Sequence, residues 1–279
     1  MHLITFADGS LSIKAAGRRL SRQAKASGLF ESVRCWNLES IKQRDKNFHE
    51  LINPYVNSNP QGLGNWVWKP KVLLMRMLEI PLDEVLVMLD AGCQLNLNPL
   101  AENRWEEYLE LVGLHQGLFM QLQNGQFGLD DLSDNAWTKI EVLDLLDRDE
   151  KLRHSGQIQS GIILIKNTRE NQGFVEDWLA TCMHDSFSLL RSETKDSRAQ
   201  YISHRWEQSI LSLKVKQRAF AYIPDETYFA PNWQSGKSYP IWAMRNRTGG
   251  DAYRRNKLDL FLIALSRLER KVRSYFQTS

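Results

Sequence analysis

The residues whose types and spacing could do chemistry fall in a few short segments of this 279-residue chain. In Leu89-Asp90-Ala91-Gly92-Cys93 a carboxylate ends a run of Val, Met and Leu, so it leaves the core on a fixed element. There Asp90 could grip a metal ion or a sugar hydroxyl, and Gly92 lets a ligand approach the backbone. Gly62-Leu63-Gly64-Asn65-Trp66-Val67-Trp68-Lys69-Pro70 precedes a helix whose free N–H groups and dipole, with the Lys69 charge, suit a phosphate. Trp66 and Trp68 would stack on a base or a sugar face, or else pack in the core with Lys69 in solvent. Thr5-Phe6-Ala7-Asp8 closes the first strand, where ligands of open parallel sheets bind; a plain strand-to-helix turn is the competing reading. Glu207-Gln208 opens a helix, a place where the helix dipole alone also favours an acid.

The elements that must position these residues alternate between strand and helix, the pattern of an α/β domain with a mixed, mainly parallel sheet flanked by helices. Strands are expected at Leu3 to Ala7, Ser32 to Trp36, Glu84 to Leu89, Leu118 to Gln121, Ser160 to Ile165 and Phe220 to Ile223. Helices are expected from a Ser10 or Ser12 cap to about Ser27, with Gly28 as the stop, and from Pro70 at a first helical position to about Glu79. Further helices are expected over Leu100 to Val112, over Trp137 to Leu146 (capped by Ser133 or Asn135), over Glu170 to Met183 and over Glu207 to Gln217. The polar stretch from Lys42 to Gly64, with Pro54 and Pro60, reads as a partly helical loop excursion. No Pro/Ser/Gly-rich linker divides the body, so one domain is expected over 1–250 and a basic amphipathic helix over 251–279.

Charge sharpens that division. Lys and Arg total 36 against 33 Asp and Glu, a net +3, but the residues from Arg254 to Ser279 carry seven basic and two acidic side chains, +5, which leaves the body at −2. Such a body is not expected to bind nucleic acid. In the tail, Leu258, Phe261, Leu262, Leu265, Leu268, Val272 and Tyr275 recur at helical steps; the helix either packs on the body or docks on an anionic membrane surface. The longest apolar runs, Val85 to Leu89 and Leu258 to Leu265, are far below the roughly 20 residues that span a bilayer. Met1 to Asp8 does not read as a secretory signal, so a cytoplasmic chain is expected. Cys35, Cys93 and Cys182 form neither a disulfide framework nor a CxxC pair, and dinucleotide, P-loop, nucleophile-elbow and HExxH signatures do not occur.

Taken in order, Trp66-Val67-Trp68-Lys69-Pro70, Leu89-Asp90-Ala91-Gly92-Cys93 and His204-Arg205-Trp206-Glu207-Gln208-Ser209 resemble bacterial nucleotide-sugar glycosyltransferases of the GT-A fold, of the polysaccharide and lipopolysaccharide type. Gln157-Ile158-Gln159-Ser160-Gly161-Ile162-Ile163 looks like their acceptor-side strand, and the resemblance spans about Ile4 to Arg247.

The resemblance implies that Thr5, Phe6 and Ala7 line a nucleoside pocket with Asp8 at its edge. It puts Trp66, Trp68 and Gln208 on the donor side, and Gln159, Ser160 and Gly161 on the acceptor side. Lys69, with Arg245 or Arg247, would face the diphosphate. Asp90 would be the first carboxylate of a DxD metal motif whose third position here is Gly92, so the motif is incomplete and a divalent cation, Mn²⁺ or Mg²⁺, loses one ligand. His204 would be a replacement ligand, better suited to Mn²⁺, or else a capping or surface residue. Glu207 would deprotonate the acceptor hydroxyl in an inverting enzyme, or stabilise an oxocarbenium-like centre in a retaining one.

The implied activity is hexosyl transfer from a nucleotide-diphosphate sugar such as a UDP-hexose to a glycan or lipid-linked acceptor in cell-surface polysaccharide synthesis, peripherally on the inner face of the cytoplasmic membrane. Two alternatives stand beside it. A sugar-nucleotidyltransferase would want a basic residue in Asp8-Gly9-Ser10-Leu11-Ser12, which has none. A non-catalytic glycan-binding or assembly protein is kept open by Gly92.

Overall fold

Apolar side chains on both faces of the segments at 2–6, 85–89 and 117–121 cannot be left in water, which makes these segments central strands covered on both sides. The computed structural model describes residues 1–146, 149–192 and 196–250. Its elements are β1 (His2–Phe6), α1 (Leu11–Ser27), β2 (Ser32–Trp36), α2 (Leu38–Arg44), α3 (Lys46–Ser58), the single turn α4 (Gly62–Asn65), α5 (Trp68–Met77), β3 (Val85–Leu89), β4 (Gln94–Leu95), α6 (Glu102–His115) and β5 (Gly117–Gln121). They continue with α7 (Asp134–Trp137), α8 (Ile140–Leu146), α9 (Glu150–Arg153), β6 (Ile158–Lys166), α10 (Arg169–Phe187), α11 (Trp206–Lys216), β7 (Ala221–Pro224) and β8 (Ile241–Trp242). The fold is mixed α/β, as the alternation implied: a mainly parallel sheet in the order β2-β1-β3-β6-β5-β7, flanked by helices. Within it β5 runs antiparallel to β6 and parallel to β7, while β4 and β8 form a separate antiparallel ribbon. Among the described residues no helix is long and apolar enough to cross a membrane.

The chain falls into two compact units, one made of Met1–Cys35, Leu89–Glu110 and the segment from Glu226, the other of Trp36–Met88 and Leu111–Asp225. Each is assembled from separated stretches, so no linker marks their boundary in the sequence. The expected basic helix over 251–279 lies outside the described residues.

In the first unit, α1 is capped by Ser10, whose hydroxyl accepts from Ile13 N at 3.3 Å, and it stops at Gly28 in the left-handed region, φ 70°. It lies so close to β1 that a Cβ on Gly17 would stand 2.4 Å from Ala7 Cβ and 3.0 Å from Cys35 Sγ.

The second unit departs from expectation twice. The stretch read as a partly helical loop excursion is mostly helix: α3 runs through Pro54, because Phe48, Ile52, Tyr55 and Val56 fall on one buried face. Burying those side chains, at about 1.5–3 kcal/mol each, outweighs the ~3 kcal/mol cost of an internal proline. The single helix expected over Trp137 to Leu146 is two, α7 and α8, broken at an extended Thr138. Tertiary partners hold the break open, since Ile140 N donates to Asp196 Oδ2 at 3.0 Å and Thr138 O accepts from Arg198 Nη2 at 2.6 Å.

Two glycines on helices should respond in opposite directions. Gly17→Ala is expected to lower the free energy of unfolding by about 1–3 kcal/mol through overpacking. Gly173→Ala on α10, where an added Cβ meets nothing within 4 Å, should raise it by about 0.5–1 kcal/mol. Urea unfolding of both variants checks the pair; a neutral or stabilising Gly17→Ala would contradict the α1–β1 approach.

Candidate functional site

In the first unit, the turn after β3 is built around a buried arginine. Arg19, on α1 and 1% exposed, donates through Nη2 to Ala91 O (2.9 Å) and Cys93 O (2.7 Å). Through Nη1 it reaches Asn246 O (3.2 Å) and Thr248 O (3.5 Å). A guanidinium out of water needs acceptors for its fixed fork of N–H groups, and these carbonyls fasten the Asp90-Ala91-Gly92-Cys93 turn to residues 245–248. Gly92 O in turn accepts from Asn246 N at 2.9 Å. A Cβ on Gly92 would stand 3.1 Å from Arg245 Cα, so the backbone carrying Arg245 crowds the place of a second carboxylate. Asp90 is half-buried at the strand end, and Arg245, at φ 52°, is exposed. Thr5, Phe6 and Ala7 are all buried, Ala7 against Ala16 and Ala91, so these side chains pack inward instead of lining an open pocket. Asp8 is half-buried; its carboxylate accepts from Gly9 N at 2.7 Å and pairs with Lys14 at 3.1 Å.

In the second unit, three of the segments singled out in the sequence meet. Lys69, 1% exposed, ion-pairs with Glu207 (2% exposed) at 3.2 Å. The same ammonium donates to Ser160 Oγ at 3.0 Å and Ser160 O at 3.2 Å, and Ser160 Oγ donates to Glu207 Oε1 at 2.7 Å. Gln208 Oε1 accepts from Ser160 N at 3.2 Å, and its amide donates to Gln157 Oε1 at 2.6 Å. Gln159 instead donates to Asp225 Oδ1 at 2.9 Å, and Gly161 is half-buried. This corrects two expectations. Lys69 is turned into the interior, not presented to a diphosphate. The Glu207 carboxylate is turned inward to the Lys69 ammonium and the Ser160 hydroxyl, not toward an acceptor.

The segment before α5 has an unusual backbone. Gly62, Leu63, Gly64, Asn65 and Trp66 have φ of 58°, 55°, 80°, 51° and 60°, a full left-handed turn. Each non-glycine residue there costs about 1–2 kcal/mol. Asn65 holds the turn in place, its Nδ2 donating to Tyr55 OH (2.8 Å) and Leu190 O (3.2 Å). Trp68 is core, with Nε1 donating to Gly62 O at 2.9 Å. Trp66 is half-buried, and its ring lies 5.1 Å from that of Trp206, which also has a positive φ, 47°.

His204 is fully buried. Its Nε2 donates to Leu189 O at 2.9 Å, and Lys139 N lies 3.4 Å from Nδ1 as donor. Burial, with Lys139 adding to it, pushes its pKa down to about 3, so the ring is neutral. With both nitrogens engaged, no lone pair is left for a cation, which corrects the expected metal role.

Arg19 and Trp206 are the residues that sequence reasoning missed. Arg19 does leave a signal: it falls on the buried face of α1 with Ala16, Leu20, Gln23 and Ala24, where a charged side chain is out of place unless paired.

No family model and no curated protein matches this sequence. By structure, the chain is similar to mouse xyloside xylosyltransferase 1, at 11% identity over 87% of this chain and 96% of that one, TM-score 0.45. It is also similar to a glycosyltransferase involved in glycosylation of the major capsid of PBCV-1, at 10% identity over 94% and 97%, TM-score 0.45. A third is the galactosyltransferase LgtC in complex with donor and acceptor sugar analogs, at 10% identity over 95% of each chain, TM-score 0.44.

Breaking the buried pair from one side should be costly. Lys69→Met is expected to lose about 3–5 kcal/mol of stability, and Lys69→Met with Glu207→Leu to regain most of it. Equal losses for the single and the double variant in chemical denaturation would refute the pairing.

His204 makes stability depend on pH. Its folded pKa of about 3 lies below its ordinary value of 6.5, so the unfolded chain takes up the proton first as pH falls. The stabilisation is complete above about pH 6.5 and declines by about 1.4 kcal/mol per unit below it, near 2 kcal/mol at about pH 5. Urea unfolding at the two pH values measures the difference, which should vanish in His204→Gln.

Proposed function

We propose that the chain transfers a sugar from a nucleotide-diphosphate sugar, such as a UDP-hexose, to a glycan or lipid-linked acceptor. The observation that carries this reading is the meeting of three segments, 66–70, 157–163 and 204–209, in one network through Lys69, Ser160, Glu207, Gln208 and Gln157. Those are the segments that resemble sugar-nucleotide transferases, and the fold brings them to one place in the second unit.

In this reading Asp90 holds hydroxyls of the donor sugar at the end of β3. The donor set expected for a divalent cation is reduced to Asp90, because Gly92 carries no side-chain oxygen and both His204 nitrogens are engaged. The growing charge on the leaving diphosphate therefore falls to Arg245, whose backbone packs beside Gly92, with Arg247 next but one in sequence. Glu207 is a positioning residue that fixes Ser160 and, through the Ser160 backbone, Gln208.

A second reading, glycan binding without transfer, is favoured by the same Gly92 and by the burial of Glu207.

Thermal shift against a panel of nucleoside diphosphates and their sugars, with and without Mn²⁺, should show one sugar nucleotide stabilising the protein more than its free diphosphate. Asp90→Asn and Arg245→Ala should each lower release of the nucleoside diphosphate by about 100-fold with an unchanged melting temperature. Chelation by EDTA should leave the rate unaltered. Stabilisation by oligosaccharides alone would replace transfer with glycan binding, and a rate that EDTA abolishes and Mn²⁺ restores would remove the role given to Arg245.

A further inference from the structure

One face of the first unit has a charge pattern that the transfer reading does not use. Arg18, Arg22 and Lys25 follow one another at steps of four and three along α1, so they share a side of the helix. Together with Val33 and Cys35 of β2, the edge strand of the sheet, and with Gly249, they line a cavity of about 600 Å³. Among the described residues no carboxylate belongs to its wall. Asp8, the acid that acts on Cys35, is held by Lys14 at 3.1 Å. Burial pushes the Cys35 thiol up, which keeps it neutral among these basic side chains. Arg22 is anchored by one nitrogen, Nη2 to Gly249 O at 2.8 Å, which fixes its position while its other N–H groups stay available.

We infer that this cavity is a phosphate-binding pocket, one that takes a phosphoryl-bearing ligand through the two guanidinium groups and the ammonium of α1. Guanidinium forks match phosphate oxygens bidentately, and a cavity of this size holds a diphosphate or a phosphoglycerol headgroup. The pocket shares no residue with Asp90, Arg245 or the Lys69–Glu207 network, and the inference does not depend on the sugar-transfer reading. The phosphate could belong to a soluble ligand or to a lipid headgroup, and the two sources separate by experiment.

The test uses the full chain with two probes: inorganic pyrophosphate in titration calorimetry, and sedimentation with vesicles of phosphatidylglycerol in phosphatidylcholine against phosphatidylcholine alone. The exposed triple variant Arg18→Gln, Arg22→Gln, Lys25→Gln is compared with Lys42→Gln, Lys46→Gln, Lys151→Gln, which removes the same charge from exposed positions of the second unit. The first is expected to weaken binding by at least about tenfold and the second by less than about twofold. Loss of pyrophosphate binding in the first variant assigns a soluble ligand, and loss confined to anionic vesicles assigns a headgroup. The pocket is overturned if the native chain binds neither probe, or if both triple variants lose affinity equally, which would reduce the effect to net charge.

Discussion

A lysine ammonium cannot be taken out of water without an anion and acceptors to meet it, and meeting Lys69 dictates how the second unit is put together. Its partners come from different elements, Ser160 from β6 and Glu207 from α11, while Lys69 itself is on α5. The cluster is also enclosed from α10, where Trp178 Nε1 donates to Glu207 O at 3.2 Å. At the other end of α11, Lys216 meets Asp134 at 2.6 Å with both side chains fully buried, and Ser212 Oγ both donates to Asp134 and accepts from Ile158 N. The helix is thus fixed by polar contacts to β6 through Glu207 and Ser212 and to α7 through Lys216. Apolar packing tolerates a sliding or rotated helix more readily than a set of buried charges does, since any other register leaves a charge without its partner.

The first unit meets the same demand differently. Arg19 is held through both terminal nitrogens by main-chain carbonyls, so its position follows the course of the backbone on both sides of the Asp90 turn. That arrangement leaves little room at Gly92, where an added Cβ would stand 3.1 Å from Arg245 Cα and the neighbouring backbone would have to give by a few tenths of an ångström. In the sequence Gly92 looked like the loss of a ligand. In the structure it is also a close approach of two backbones.

Much of the fold was legible because its signals are local. Ser10 and Gly28 mark both ends of α1, and the apolar run before Asp90 marks β3. Misreadings occurred where tertiary contacts overrode local preference: at Pro54, whose helix is held by its buried face, and at Thr138, where Asp196 and Arg198 from a distant stretch take the hydrogen bonds that a continuous helix would have made. The polar segments were legible as a set, but not the direction of their side chains. Periodicity says that Lys69 lies near a helix start; it does not say that Ser160 and Glu207, more than ninety residues away, turn it inward.

The left-handed turn from Gly62 to Trp66 depends on chain that lies far from it in sequence. No isolated peptide of that sequence would hold five consecutive residues at positive φ, because the local backbone energy opposes it and only contacts such as Asn65 with Tyr55 and Leu190 offset it. The turn is therefore held by α3 and the chain around Leu190 and not by its own sequence. The geometry that precedes Lys69 thus belongs to the whole unit, and a peptide cut from it would not keep that geometry.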